Sequence, residues 1–315
     1  MPKVENVQRA RAITGLRAAA AIVVCIIFLV PILWMLLTAF KPQQDVIRVP
    51  PKVIFTPSLQ GFVNLFFQRL ALPQSQMAQY EGRTDLNWWD KVALAQGQIT
   101  IGPSQYTGRL LNSVIIATGS TLAAVVLGTL AAYAFSRFRV RGQADLLFFI
   151  LSTRMLPAVV VTIPIFLMYR RLGLSDTHLG LILLYTVFNL SLSVWLIKGF
   201  MDEIPREYEE AALVDGYSRW QAFTKIVLPQ AITGIAATTV FCLIFAWNEY
   251  AFALMLTSDR ARTAPPSIPS QLGTGGVEWS AIAFGSLLFL IPVVIVVFAL
   301  RNYLLRGITF GAIRQ

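Results

Sequence analysis

The chain has 315 residues, of which 56% are hydrophobic and only 13% are charged, a composition that is typical of membrane proteins and argues against a soluble fold. The net charge of +10 does not indicate nucleic-acid binding, because the basic residues stand in short groups at the edges of apolar runs. The two cysteines, Cys25 and Cys242, both lie inside apolar runs, which excludes a disulfide framework and a C-x-x-C metal or redox site.

Six apolar segments are long enough to cross a bilayer. A spanning helix needs about 20 mainly apolar residues, because each residue adds about 1.5 Å across an apolar core of about 30 Å. The segments are Ala18–Phe40, Leu110–Phe135, Leu146–Tyr169, Leu179–Ile197, Ile232–Leu256 and Ala281–Leu300. Lipid offers no partner for free backbone groups, so each segment is expected to be helical. The sequence therefore predicts an all-α integral membrane protein with six transmembrane helices.

The distribution of basic residues predicts the orientation. The first span follows four basic residues, but its apolar run is too long for a signal peptide, so we expect a retained signal anchor. With the N-terminus inside, the cytoplasmic segments carry fourteen Lys and Arg residues, and the short outer loops carry four. The basic residues of the long loop after the first span count little toward the orientation, since loops of that length translocate largely regardless of charge. Both termini are therefore predicted to be cytoplasmic.

The first outer loop contains two adjacent tryptophans, Trp88 and Trp89. They could contact a partner protein or lie on the membrane surface, where tryptophan is enriched. A packed loop without a contact role is an equally open interpretation.

Five polar residues at membrane depth are candidates for a translocation path. Arg154 falls about eight residues into the third span, where an ionisable side chain is a functional candidate. Asn189 and Ser193 lie on the fourth span, and Asn248 and Glu249 lie near the outer end of the fifth. These residue types suit a hydroxyl-rich solute such as a sugar. The alternative is structural: a snorkelling or paired arginine, and hydrogen bonds between helices.

A polar helical hairpin separates the fourth and fifth spans. Residues Pro205 to Leu213 predict a short helix, with proline in its first turn and three glutamates near its positive end. Gly216 is expected to end it in the left-handed conformation. Ser218 and Gln221 are spaced as the capping box of a second helix, and Pro229 opens the fifth span.

The first helix of this hairpin carries two small residues, Ala211 and Ala212, where another backbone could approach closely. A rigid helix, turn and helix of this kind suits docking into a cleft. The alternative is an interfacial hairpin that only returns the chain to the membrane.

The hairpin resembles the EAA loop of the permease subunits of binding-protein-dependent ABC importers. The matching residues are Glu210, Ala211, Ala212, Gly216, Ile226, Leu228 and Pro229. Other stretches are similar to the second, maltose-type permease of the carbohydrate-uptake branch: "FKPQQDV", "LLNSVIIA", "MLP", "LGLSDTHLGLILLY", "FAWNEY" and "LLRGITFGAIRQ". The resemblance covers nearly the whole chain apart from part of the first outer loop.

The resemblance implies a permease subunit in a bacterial inner membrane. It would pair with a second permease, two ABC ATPase subunits and a periplasmic or extracellular solute-binding protein. The EAA loop would seat on an ATPase, as would the C-terminal tail from Gly307 to Gln315. This chain would bind no cofactor itself, and ATP and Mg²⁺ would be held by the ATPases. The last outer loop would lie where maltose-type importers probe the binding protein.

The implied organisation divides the chain into consecutive segments. They are a cytoplasmic N-terminus (1–17), the first transmembrane helix (18–40), a periplasmic loop (41–106), a permease core (107–301) that includes the EAA loop at about 198–231, and a cytoplasmic tail (302–315).

No enzymatic motif stands out in the sequence. It contains no G-x-x-x-x-G-K-[ST] phosphate-binding loop and no Ser/His/Asp arrangement, and its single histidine is His178. We therefore expect a transport subunit and no catalytic or metal site. Two alternatives remain open: a permease for a solute other than a sugar, and an ion-coupled secondary transporter, for which only Arg154 and Glu249 offer ionisable groups in the spans.

Overall fold

The computed structural model describes residues 2–50, 52–81, 83, 85–273 and 276–310, and it is mostly helical. The chain forms two compact units, one of Met1–Ser104 with Gln271–Leu288 and the other of Gln105–Ser270 with Phe289–Gln315. The elements up to residue 104 are α1 (Pro2–Ala39), α2 (Gln43–Val46), α3 (Gln60–Phe66), β1 (Phe67–Ala71), α4 (Gln74–Glu81), α5 (Trp88–Leu94) and β2 (Gln98–Pro103).

The elements from residue 105 onward are almost all helices. They are α6 (Tyr106–Arg137), α7 (Gln143–Ser152), a 3₁₀ turn (Thr153–Met155), α8 (Ala158–Leu172), α9 (His178–Asp202), α10 (Glu207–Val214), α11 (Arg219–Ala222), a π-helical turn (Phe223–Val227), α12 (Leu228–Trp247), α13 (Ala251–Leu256), α14 (Ala264–Ser267), β3 (Leu272–Gly273), β4 (Gly276–Val277) and α15 (Trp279–Phe310).

The first unit has a small packed core outside its apolar helix. Strands β1 and β2 pair antiparallel, with a bulge between Gln68 and Arg69. The ring of Trp89 stacks on Phe67 at 5.4 Å, and the ring of Trp88 lies 5.6 Å from Phe62. The two tryptophans of the long loop therefore pack within the loop itself, although Trp88 stays 45% exposed.

The second unit is organised around three closely packed helices, α6, α9 and α12. Gly128 on α6 lets α9 approach so closely that a Cβ built on it would lie 2.3 Å from the Cβ of Ser193. Thr186 on α9 donates to the carbonyl oxygen of Ser120 on α6 at 3.4 Å. Small and hydroxyl-bearing residues at such contacts are typical of helices that pack in membranes, where they allow close backbone approach.

Among the residues that the structure describes, five helical stretches are long and apolar enough to cross a membrane, and a bent pair of helices, counted as one span, brings the number to six. The five are Thr14–Ala39, Tyr106–Arg137, His178–Asp202, Arg219–Trp247 and Trp279–Arg301. The first and last helices extend beyond the predicted spans, because α1 begins at Pro2 and α15 runs to Phe310. Residues 302–310 of the predicted tail therefore continue α15, and residues 311–315 lie outside the described part of the chain.

The third predicted span is not one continuous helix. Gln143–Met155 and Ala158–Leu172 meet at an angle of 93°. Pro157 precedes α8 with φ −60° and ψ 130°, and Leu156 before it is extended. Proline disfavours the helical conformation in the residue before it, so the helix ends there and restarts in a new direction. Arg154, predicted inside a straight helix, consequently lies in the 3₁₀ turn at this bend.

The fifth predicted span ends earlier than the sequence predicts. Helix α12 stops at Trp247, and α13 begins again at Ala251. Glu249 lies in the break and accepts hydrogen bonds from the backbone N–H groups of Phe252 and Ala253 at 2.9 and 3.0 Å. A carboxylate in this place satisfies N–H groups that have no partner at a helix start, so it supports the restart.

One carboxylate holds the loop that follows α13. Asp176, in the turn between α8 and α9, accepts hydrogen bonds from the backbone N–H groups of residues 258–261 and from the Ser258 hydroxyl. Partial burial favours the neutral acid, but these hydrogen bonds outweigh it and lower the pKa of Asp176 to about 2. The negative charge on Asp176 therefore fastens this loop to the turn before α9.

We expect replacement of Asp176 by asparagine to lower the thermal stability of the protein at neutral pH. Because the folded-state pKa of Asp176 is depressed, its contribution is fully present above the unfolded value, which is about 3.9. The contribution is lost as the pH falls toward about 2. The difference in Tm between the wild type and D176N in detergent should therefore shrink between these two pH values. Asp259→Asn, at an exposed neighbour, is the control, and a difference that does not depend on pH would contradict the assignment.

The close contact at Gly128 predicts a packing defect. Gly128→Ala should lower Tm, because its new methyl group would meet Ser193 on α9, and overpacking of this kind costs about 1–3 kcal/mol. Gly199→Ala on α9 is the matched control, since a Cβ there has no neighbour within 4 Å. That control should keep or raise Tm, because alanine is the better helix former. Equal Tm values for the two variants would show that α6 and α9 do not pack this closely.

Candidate functional site

A cavity of about 310 Å³ lies in the second unit beside both helix breaks. Its lining combines four aromatic rings with three polar or charged side chains. The lining residues are Arg154, Leu156, Ala158, Tyr185, Phe188, Asn189, Phe245, Ala246, Glu249 and Phe252. This volume lies at the lower end of the range for small-molecule pockets, about 300–1,000 Å³.

Arg154 is the cation of this cavity. Its guanidinium lies over the ring of Phe245, 4.2 Å from the ring centroid, and its Nη1 donates to the carbonyl oxygen of Phe188 at 3.4 Å. The ion pairs found among the described residues do not include it. An aromatic face stabilises a guanidinium without using its N–H donors. Arg154 therefore keeps donors for a group that enters the cavity.

Glu249 forms the opposite charge in the cavity wall. Besides the two backbone N–H groups of α13, its Oε2 accepts a hydrogen bond from the Tyr185 hydroxyl at 2.7 Å. Both carboxylate oxygens are thus engaged by the protein. Glu249 holds the break between α12 and α13 in shape, and it fixes Tyr185 at the cavity surface.

The remaining predicted path residues are placed differently from one another. Asn189 lines the cavity, and its amide donates to the carbonyl oxygen of Cys242 on α12 at 3.1 Å. Ser193 on α9 is fully buried, and its hydroxyl lies 3.2 Å from the Cys242 thiol on α12. It does not line the cavity. Asn248 is exposed just after the end of α12, and its amide donates to the carbonyl oxygen of Ile244 in the last turn of that helix. The structure therefore brings Arg154, Asn189 and Glu249 together.

The polar hairpin has the local geometry that the sequence predicts, shifted by one or two residues. Helix α10 covers Glu207–Val214, and Gly216 follows it with φ +87°, a conformation that only glycine adopts readily. The capping box of Ser218 and Gln221 is present, with bonds of 2.8 and 3.2 Å. Pro229 lies in the first turn of α12.

The hairpin presents an exposed face that includes large apolar side chains. Val214 is 87% exposed, Trp220 64% and Tyr208 56%, and Glu210, Ala211 and Gly216 are exposed beside them. Large apolar side chains exposed within one short hairpin typically mark a protein interface. We call these six residues the docking face.

Three other EAA-loop residues are placed away from this face. Ala212 is only 6% exposed and Ala211 is exposed, so of the two only Ala211 lies where the backbone of another protein could approach. Ile226 lies in the π-helical turn. Leu228 begins α12 and packs against the buried cluster that includes Val227 and Ala231.

A buried carboxylate on α10 was not singled out by its sequence position. Glu209 is 5% exposed, and it accepts hydrogen bonds from the Tyr133 hydroxyl and from Nε of Arg137, the latter at 3.0 Å. In the sequence, Glu209 is one of three similar glutamates, and its partners lie more than 70 residues away. The one signal in the sequence that points to such a partner is the basic residue Arg137, just after the second predicted span.

Among the described residues, no group of three or more His, Cys, Asp and Glu side chains is placed to hold a metal ion. The features that stand out are therefore the cavity, the docking face and the buried contact between α10 and α6.

Comparison with known proteins assigns this architecture to a family. The family model described as "Binding-protein-dependent transport system inner membrane component" matches residues 124–310. A probable ABC transporter permease protein, y4oR, of Sinorhizobium fredii is 32% identical over 93% of this chain and 92% of its own length. The trehalose/maltose transport system permease protein MalG of Thermococcus litoralis is 30% identical over 93% of this chain and 94% of its own.

A solved structure has a similar fold. It is a chain of a bacterial ABC transporter involved in the import of the acidic polysaccharide alginate, with a TM-score of 0.64 and 19% identity. The match covers 93% of this chain and 96% of that chain. The resemblance read from the EAA loop is thereby confirmed: this chain belongs to the family of inner membrane components of binding-protein-dependent transport systems.

Proposed function

We propose that this permease carries a sugar or polyol through the membrane together with a second permease subunit, and that its hairpin couples this path to ATP hydrolysis by two cytoplasmic ATPase subunits. The observation that carries the proposal is the docking face. It is an exposed apolar surface on a rigid hairpin, at the position of the EAA-loop residues Glu210, Ala211 and Gly216.

The shape of the hairpin supports a docking role over a simple return of the chain. A connecting loop needs neither a left-handed glycine nor a satisfied capping box, and it gains nothing from exposing Val214 and Trp220 to solvent. A groove in a partner protein would cover these side chains and release the water around them. The charge bias of the loops supports a cytoplasmic position for this face and for both termini.

The cavity supports a sugar or polyol as the solute. Such solutes are held by hydrogen bonds to their hydroxyls and by contact of their apolar faces with aromatic rings. Arg154 and Asn189 supply polar groups, and Tyr185, Phe188 and Phe245 supply rings. A relative named for trehalose and maltose transport matches nearly the whole chain. We propose that a solute-binding protein outside the membrane delivers the sugar.

The division of labour follows from the chemistry that this sequence contains. It has no phosphate-binding loop, so ATP and Mg²⁺ are assigned to the ATPase subunits, and no cofactor is assigned to this chain. An ion-coupled transporter would leave the docking face unexplained. A permease for a solute other than a sugar would use the same docking face, and the ligand of a co-purified binding protein would distinguish it.

Gly216→Val should abolish co-purification of the ATPase subunits with the tagged permease. Valine is strained at φ +87°, so the turn between α10 and α11 must change its path and the docking face must break up. Gly142→Val is the matched control, because Gly142 also has a positive φ, of +67°, in a different loop. Normal ATPase recovery with G216V would remove the hairpin from the interface.

Arg154→Ala should reduce uptake of radiolabelled trehalose or maltose by about tenfold or more. A hydrogen bond to a charged group is worth roughly 1.5–3 kcal/mol, and about 1.4 kcal/mol corresponds to tenfold. Arg170→Ala is the control, since Arg170 also lies over a phenylalanine ring, at 5.8 Å from Phe166, but does not line the cavity. Equal uptake by the two variants at equal membrane levels would exclude Arg154 from the path.

A further inference from the structure

The buried carboxylate of Glu209 joins the hairpin to a membrane-spanning helix. Its two oxygens have different partners on α6: one accepts from the Tyr133 hydroxyl, and the other from Nε of Arg137 at 3.0 Å. The side chains of Glu209 and Arg137 are only 7% and 5% exposed. Both oxygens of one rigid carboxylate are thus held from the same neighbouring helix.

Two arginines extend this contact to the end of α9. Arg137 donates through Nη2 to the carbonyl oxygen of Ile204, two residues after the end of α9, at 2.9 Å. Arg206, just before α10, donates to the carbonyl oxygen of Ser136 on α6 at 2.7 Å. The ends of α6 and α9 and the start of α10 are therefore tied by charge-assisted hydrogen bonds, which are about twice as strong as neutral ones.

Tyr133 also contacts the second half of the hairpin, which follows α11. Its ring packs on Phe223 of the π-helical turn at 4.5 Å between centroids, and Phe223 lies 5.3 Å from Trp220 of the docking face. One residue of α6 therefore contacts α10 through its hydroxyl and the chain after α11 through its ring. Trp220 of the docking face is thus connected to α6 through Phe223 and Tyr133, and α10 is connected to α6 through the Tyr133 hydroxyl.

Stability alone does not account for a buried ion pair in this place. Desolvation of two charges offsets most of their attraction, and apolar residues of the same volume often stabilise a fold equally well. The ion pair also fixes the orientation of α10 relative to α6, because the carboxylate oxygens of Glu209 and the planar guanidinium of Arg137 fit together in one geometry. Motion of one element then requires motion of the other.

We propose that Glu209, Arg137 and Tyr133 form a latch that makes α10 move as one body with the inner ends of α6 and α9, so that closure of the ATPases changes the access to the cavity. The latch rests on the proposed docking role of the hairpin. Glu209 acts as a positioning residue, since it is buried beneath the docking face and is not part of it.

The test measures whether nucleotide binding at the ATPases still changes access to the cavity when the latch is broken. A reporter cysteine replaces Ala158, which lines the cavity, in a Cys25→Ser background that removes the exposed native thiol. The intact complex with its ATPases is placed in nanodiscs. The labelling rate with a fluorescent maleimide is then compared without nucleotide and with ATP plus orthovanadate, which holds the ATPases closed.

In the otherwise unaltered protein, ATP and vanadate should change the labelling rate of the Ala158→Cys reporter by about threefold or more, and threefold corresponds to roughly 0.65 kcal/mol in the equilibrium between states. Glu209→Gln should bind the ATPases and trap nucleotide normally, but its labelling rate should no longer respond. The amide keeps the volume but removes the negative charge, and its NH2 group must face one of the two donors, so the two hydrogen bonds cannot both be kept as they are. Glu203→Gln, at an exposed glutamate after α9, should respond like the parent.

The outcomes separate the latch from the docking role. A parent protein that does not respond to ATP and vanadate, or that lacks bound ATPase, would overturn the proposed function. A Glu209→Gln variant that responds like the parent would overturn the latch alone. Tyr133→Phe removes one hydroxyl with little change in packing, and it serves as the second variant if Glu209→Gln does not accumulate. Its response should also be lost, and a normal response would again overturn the latch.

Discussion

Lipid offers no hydrogen-bond partner to an open backbone, and this constraint explains where the helices of this permease can be interrupted. Irregular backbone at membrane depth is tolerated only where protein buries it or where it lines a cavity. The breaks in the third and fifth spans both obey this rule, because Arg154 and Leu156 at one and Glu249 at the other line the same cavity. Pro157 causes the first break, and the Glu249 carboxylate satisfies the backbone at the second. The cavity and the irregular backbone are therefore two aspects of one arrangement.

Close packing of α6, α9 and α12 provides the rigid frame around this cavity. Gly128 allows α9 to approach α6, and Asn189 bonds to the backbone of α12 from the cavity wall. The same helices α6 and α9 receive the buried contacts of Glu209 and Arg137 at their other ends. A body of this kind transmits displacement, since packed interfaces shift between discrete arrangements and do not deform continuously. In the proposed mechanism, the ATPases move the hairpin, the packed helices move with it, and access to the cavity changes as a result.

Several features could be predicted from local chemistry. The six apolar segments, the left-handed Gly216 and the capping box of Ser218 and Gln221 depend on residues near each other in the chain. The bend at Pro157 and the end of α12 at Trp247 were missed, although a proline stood in the third segment. A helix break leaves no mark in the hydrophobic pattern when the residues on both sides of it, and in it, are mostly apolar. Of the predicted path residues, Ser193 was selected for its residue type, but that type serves equally well in contacts between helices.

The sequence by itself determined that the chain spans a membrane, that a polar hairpin interrupts the spans, and that the hairpin carries the motif of the permease family. These depend on composition, on spacing within about twenty residues, and on turn chemistry. Only the tertiary structure decided which polar residues share a cavity and which of three neighbouring glutamates is buried. Glu209 meets Tyr133 and Arg137 across more than 70 residues of chain. Such a pairing is set by how helices pack, and no spacing along the sequence records it.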